Sequence, residues 1–123
     1  MSRPRSSVKR ILVVDDSAAV RDAVSSYVRR MGHEVYEAPD GRTAVELAAS
    51  VRPEVALIDL WMPVMDGYQV VHRLRQELGA TPRLVAMTAH ATAEARAKCL
   101  DAGFDLCVSK PLDPAFLSSW LGA

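Results

Sequence analysis

The stretch Val55-Ala-Leu-Ile-Asp-Leu-Trp-Met-Pro-Val-Met-Asp-Gly67 decides how this 123-residue chain is read. Val55 to Ile58 form a short, continuous apolar run, the pattern of a strand buried on both faces. Asp59 ends that run with a carboxylate, and the chain then turns through Met62-Pro63 and Asp66-Gly67. A charged acid at the end of a core strand costs free energy unless a cation or hydrogen-bond donors compensate it. The compensation for Asp59 has to come from elsewhere in the chain.

Working outward, the same pattern of an apolar run with a polar end recurs. Ile11-Leu-Val-Val14 runs straight into Asp15-Asp16, and Leu84-Val-Ala-Met-Thr88 ends in a hydroxyl. Phe104 to Ser109 contains a further strand, followed by Lys110-Pro111, while Glu34 to Ala38 alternates polar and apolar residues as a strand nearer the sheet edge does. Helical periodicity fills the gaps. Ser17 caps a first helix carrying Val20, Ala23, Val24, Tyr27, Val28 and Met31, with Gly32 at its stop. Asp40-Gly41 opens a second, with Ala44, Leu47, Ala48 and Val51 on one face and Pro53 at its end. A third follows Gly67 with Val70, Val71, Leu74 and Leu78, closed by Gly79. Thr92 to Ala102 is helical by composition with a weak stripe of Ala95, Cys99 and Ala102, ended by Gly103. Asp113-Pro114, a cap followed by proline at the first helical position, starts a last helix buried through Phe116, Leu117, Trp120 and Leu121.

Five alternations of strand and helix predict an α/β, doubly wound, five-stranded parallel sheet with five helices. Right-handed crossovers make the flavodoxin-like order 2-1-3-4-5 the leading topology. In such folds the site lies outside the carboxyl ends of the strands, which singles out Asp15, Asp16, Asp59, Thr88 and Lys110.

Composition narrows the function classes. Half of the residues are hydrophobic, about a quarter are charged and the formal net charge is zero, which points to neither nucleic acid nor a membrane surface. No apolar run approaches the ~20 residues of a membrane span, and no apolar segment follows Met1 as a secretory signal requires. Residues 1–8, rich in Ser, Arg and Pro, read as a disordered leader, and residues 9–123 as one domain. Cys99 and Cys107 read as buried thiols of a reducing compartment, so the expected location is the cytoplasm. His33, His72 and His90 lack the spacing of zinc ligands.

Three carboxylates converging on one mouth repel: two unit charges ~5 Å apart at an effective dielectric of ~20 cost roughly 3 kcal/mol. A hard divalent cation relieves this, and an oxygen-only donor set with few protein ligands suits Mg²⁺. Lys110 adds a compact positive charge and Thr88 a hydroxyl donor, a set matched to a developing phosphoryl group. With metal and lysine beside it, Asp59 would stay ionised and could attack phosphorus.

Four motifs carry a family resemblance: Ile11-Leu-Val-Val-Asp-Asp16, Asp59-Leu-Trp-Met-Pro-Val-Met-Asp-Gly67, Met87-Thr-Ala89 and Ser109-Lys-Pro111. In this order, each at a strand end, they resemble the receiver domain of two-component response regulators from Lys9 to Leu121. The resemblance implies that Asp59 accepts a phosphoryl group from a histidine kinase or phosphotransfer protein. It implies that Asp16 ligates Mg²⁺ directly, Asp15 mostly through water, and Trp61 through its backbone carbonyl. Lys110 would contact the phosphoryl group, Thr88 would move toward it, and the Lys110-Pro111 bond would be cis. The implied protein is a signalling domain rather than an enzyme, assisting only its own phosphorylation and dephosphorylation. It would switch protein contacts through the last strand and last two helices, as a monomer or a weak phosphorylation-dependent dimer, with no direct nucleic-acid contact.

The match has gaps. Receivers often carry Tyr or Phe three residues before the lysine, and here that residue is Cys107, so the usual aromatic switch is missing. Trp61 and His90 stand where side chains overhang the site, and a large ring at Trp61 could exclude water and slow dephosphorylation. Asp66 reads as a turn residue before Gly67 rather than a metal ligand. An aspartate-nucleophile phosphatase would need an acid at the position of Trp61, and a flavodoxin-like flavin or nucleotide binder would need a phosphate loop where Asp15-Asp16 stand. Met1 with a short leader favours a stand-alone protein, whereas residues 102–112 resemble receivers fused to hybrid kinases; both arrangements stay open.

Overall fold

A computed structural model describes residues 8–121 of the chain, apart from the Trp120 side chain. The expected leader over residues 1–8 therefore lies almost wholly outside the described residues, as does the expected burial of the Trp120 ring.

Five strands alternate with five helices: β1 Arg10–Val14, α1 Ala18–Arg30, β2 Glu34–Ala38, α2 Gly41–Val51, β3 Val55–Asp59, α3 Gly67–Leu78, β4 Arg83–Thr88, α4 Ala93–Ala102, β5 Leu106–Ser109 and α5 Pro114–Leu121. The strands form one parallel sheet in the order β2-β1-β3-β4-β5, the topology expected from the alternation. The alternating strand β2 sits at an edge, and β3, the apolar run before Asp59, is buried at all five positions.

Period-two geometry sorts the central strands into two cores. Leu12 and Val14, Ala56 and Ile58, and Leu84 and Ala86 face one side, where Ala44, Ala48, Val70, Leu74 and Cys99 pack. Ile11 and Val13, Val55 and Leu57, and Val85 and Met87 face the other, against Val24 and Val28 of α1 and Leu117 and Leu121 of α5. Each such side chain, fully withdrawn from water, contributes about 1.5–3 kcal/mol before chain entropy is counted. On α1 the expected stripe is off by one position: Ala23 is exposed, and Ser25 is buried instead. A small residue is cheap to expose and a hydroxyl in a helix can be buried, so neither had a strong periodic signature.

The helix ends follow the sequence signals. Ser17, Asp40, Asp66 and Thr92 each accept a hydrogen bond from the backbone N–H three residues on. Asp66 forms a full capping box with Gln69, so it is a turn and cap residue as expected. Arg75 is a clamp that no motif announced. Its guanidinium donates to the carbonyls of Gly103, Gly79 and Pro82 and to Asp105, tying the end of α3 to the loops before β4 and β5.

Candidate phosphoacceptor site

Backbone hydrogen bonds at the carboxyl ends of the strands build the site. Asp15 N–H donates to the Ala38 carbonyl, Leu60 N–H to Met87, and Lys110 N–H to Thr88. Each polar residue that follows an apolar strand is thereby fixed at the same edge of the sheet. The cost of a polar end on a buried strand is met by gathering those ends together.

Asp15, Asp16 and Asp59 each offer a carboxylate oxygen within 4.8 Å of the others. Asp15 is fully buried and Asp59 nearly so, whereas Asp16 is exposed. Lys110 Nζ stands 2.8 Å from Asp15 Oδ2 and 3.1 Å from Asp59 Oδ1. Asp59 Oδ1 also accepts a long hydrogen bond from Trp61 N–H at 3.4 Å, and Asp15 Oδ1 accepts one from Ser17 N–H at 2.9 Å. Asp15 Oδ2 is buried with no hydrogen bond of good direction, so the ammonium charge is its compensation.

Burial raises the carboxyl pKa of Asp59 above its ordinary value; the Lys110 bond pulls it down and the neighbouring Asp15 pushes it up again. For Lys110 burial works against the charged form, yet the bonds to Asp15 and Asp59 outweigh it and the ammonium is held above its usual range. The site is an under-neutralised anionic mouth. Three converging oxygens, one of them buried and lacking a directed donor, suit a small hard cation, so the residues fit Mg²⁺.

The other predicted residues take distinct places. Thr88 is buried at the end of β4, and its Oγ1 accepts from His90 N–H at 3.3 Å. Trp61 is 60% exposed, and its ring meets Tyr68 of α3 edge-on. The Lys110-Pro111 bond is cis, as the resemblance implied. Cys107 is buried beside Cys99, and burial followed by that neighbour pushes its thiol up to about 11. It is a protonated core residue, and both cysteines are free thiols.

Three features escaped the sequence reading. Arg21 donates to the Asp15 carbonyl at 2.8 Å and pairs with Glu37, bracing the end of β1 from α1. Tyr68 reaches across to Phe104 and to the Cys99 thiol, which approaches its hydroxyl at 3.9 Å. In the loop after β3, Met65 N–H donates to the Pro63 carbonyl at 2.8 Å around Val64, whose φ is 70°. That closure is a γ-turn with positive φ at its centre, a rare and strained conformation for a β-branched residue. Helical spacing could have flagged Arg21; nothing local to the sequence announces the other two.

Comparison with known proteins agrees with this geometry. The family profile described as response regulator receiver domain matches residues 11–121. The sensor histidine kinase RcsC of Salmonella typhimurium strain LT2 is 39% identical over 102 residues, covering 83% of this chain and 11% of that kinase. The chain thus spans about a tenth of that relative. Among solved structures, the chemotaxis protein CheY4 of Vibrio cholerae superposes with a TM-score of 0.87 at 31% identity, covering 94% of this chain and 97% of that one. The receiver domain of the sensor histidine kinase PA1611 from Pseudomonas aeruginosa PAO1 superposes with a TM-score of 0.81 at 31% identity, over 94% of this chain and 99% of that one. That structure carries a magnesium ion coordinated in its active-site cleft.

Proposed function

The chain belongs to the response regulator receiver family, and from that premise we propose that Asp59 is its phosphoryl acceptor, with Asp15, Asp16, Trp61, Thr88 and Lys110 serving it. The observation that carries this assignment is the position of Asp59 itself. It ends a fully buried strand, with Lys110 Nζ 3.1 Å from its oxygen and two further aspartates converging on it.

Asp59 attacks the phosphorus of a phosphohistidine on a histidine kinase or phosphotransfer protein. The new O–P bond forms as the N–P bond breaks, and the electron pair and a proton go to the leaving imidazole. Lys110 moves its charge from the carboxylates toward the transferred oxygens. Thr88, freed from His90 N–H, turns its hydroxyl to the same group. Asp16, Asp15, Asp59 and the Trp61 carbonyl would hold Mg²⁺, which when bound neutralises charge shared between the carboxylates and the phosphoryl oxygens. The same residues assist later hydrolysis of the acyl phosphate, and no turnover of other substrates is expected.

The signal passes to a protein target through α4, β5 and α5, in a protein that is monomeric or weakly dimeric when phosphorylated. Residues 9–123 are read as the receiver domain and residues 1–8 as its leader. A cytoplasmic location is supported by two free thiols, and no described helix is long and apolar enough to cross a membrane. The test is labelling with acetyl phosphate and Mg²⁺, followed by intact mass. The wild-type protein should gain one phosphoryl group and Asp59→Asn none; equal labelling of both would overturn the assignment.

A further inference from the structure

The chain has two cysteines, Cys99 and Cys107, and neither takes part in the chemistry at the acidic mouth. The fold nevertheless brings them together. Cys99 lies toward the end of α4, Cys107 is the second residue of β5, and only Gly103, Phe104 and Asp105 separate the two elements. That connection is firmly held. Gly103 takes a φ of 119°, Phe104 N–H donates to the Cys99 carbonyl at 3.0 Å, and Asp105 N–H donates to the Leu84 carbonyl at 2.8 Å. Both cysteine side chains turn into the same core, where their thiols share a hydrogen bond, and the Cys99 thiol also donates to the Tyr68 hydroxyl at 3.9 Å.

In the closed protein the pair is sheltered, because both side chains are buried and Cys107 is held protonated. The shelter is light on one side. Cys99 is the one buried residue of α4, whereas α3 buries Val70, Val71 and Leu74, so α4 can lift from the sheet without global unfolding. We propose that Cys99 and Cys107 are a redox site, which hydrogen peroxide converts into a reversible disulfide that fastens α4 to β5. When α4 lifts, the Cys99 sulfur attacks one peroxide oxygen and the O–O bond breaks. The departing hydroxide takes the thiol proton and leaves as water, and Cys99 becomes a sulfenic acid. As α4 closes, the Cys107 sulfur attacks the Cys99 sulfur, the S–S bond forms, the S–O bond breaks, and a second water leaves with the Cys107 proton. The two thiols lose two electrons and two protons, and one peroxide becomes two waters. A reducing thiol reverses the link by exchange.

The test is made on the full chain, reduced, treated with hydrogen peroxide, then unfolded in an alkylating agent and digested with trypsin. Cleavage after Lys98 yields one methionine-free peptide that holds both cysteines, so oxidation of methionine does not confuse its mass. In the wild type that peptide should be two hydrogens lighter and carry no alkyl group, and dithiothreitol should restore two alkylated thiols. Cys107→Ser should lose the link and leave a sulfenic acid on Cys99 that dimedone captures. The link is read on the wild-type chain, so a variant that folds poorly does not obscure it. Amides of α4 should exchange with solvent about tenfold more slowly in the linked protein than in the reduced one. Two alkylated thiols after peroxide would overturn the proposal, as would sulfinic acids without a link or a disulfide between two chains. A link that leaves α4 exchanging at the reduced rate would overturn the fastening of α4.

Discussion

The Trp61 ring meets the Tyr68 ring edge-on, with centroids 5.9 Å apart and planes at 70°. Trp61 lies two residues after Asp59 and Tyr68 in the first turn of α3, so this contact joins the loop after β3 to a helix. Tyr68 in turn meets Phe104 edge-on, takes Lys98 of α4 over its face at 4.6 Å and lies beside the Cys99 thiol. The last strand carries the small Cys107, and the aromatic that links the loop after β3 to α4 comes from α3.

Trp61 should therefore report the state of the site. Beryllofluoride with Mg²⁺ should change tryptophan emission in the wild type, and the change should disappear in Trp61→Phe. An undiminished change in that variant would place the reporter elsewhere.

The same ring bears on phosphoryl lifetime. If it screens the acceptor from water, Trp61→Ala should shorten the half-life of the acyl phosphate several-fold in a direct decay assay. An unchanged half-life would remove Trp61 from that role.

Asp59 sets a pH dependence whose sign is fixed by burial. Its folded pKa is raised above the ordinary value of 3.8, so ionising it costs the folded state stability. Below the unfolded value the cost is absent; it develops as pH rises through the folded value and is complete beyond it. In chelator, Asp59→Asn should thus be more stable than wild type at neutral pH, and the gain should fade in acid. Urea midpoints measured across that range check it, and a gain that grows in acid would contradict it.

Lys110 works in the opposite sense. Its folded pKa is raised above 10.5, so its stabilisation is present at neutral pH and lost only as the solution becomes alkaline enough to titrate it. Lys110→Met leaves Asp15 and Asp59 facing each other without their cation. It should destabilise the metal-free protein by about 1–3 kcal/mol, less than a fully buried pair because the lysine is partly solvated. Added Mg²⁺ should recover much of the loss, as thermal unfolding would show.

Gly67 is needed for space. A Cβ there would stand 2.7 Å from the Asp59 carbonyl oxygen and 2.8 Å from the Leu60 Cα, both backbone atoms that cannot swing aside. Gly67→Ala should cost about 2–3 kcal/mol and displace the acceptor, lowering the rate of labelling by acetyl phosphate as well as the urea midpoint. Normal labelling at unchanged stability would show that the loop yields more easily than this packing implies.

The sequence by itself determined the sheet order and the strand ends, and it singled out the polar residues that converge there. Those follow from short-range signals: apolar runs of strand length, caps, glycines, and polar residues placed where a strand must stop. Asp59 was conspicuous because a carboxylate after Val55-Ala-Leu-Ile58 has no local explanation. Only the tertiary structure decided how the charges are shared. It puts the lysine between Asp15 and Asp59, leaves Asp16 in solvent and turns the Thr88 hydroxyl to His90 N–H. It also decided that Tyr68 meets Trp61, that Arg21 braces β1 and that Val64 is held at positive φ. These depend on how successive elements pack against each other, and on a backbone angle that valine does not choose for itself. A pattern of residue types carries no record of either.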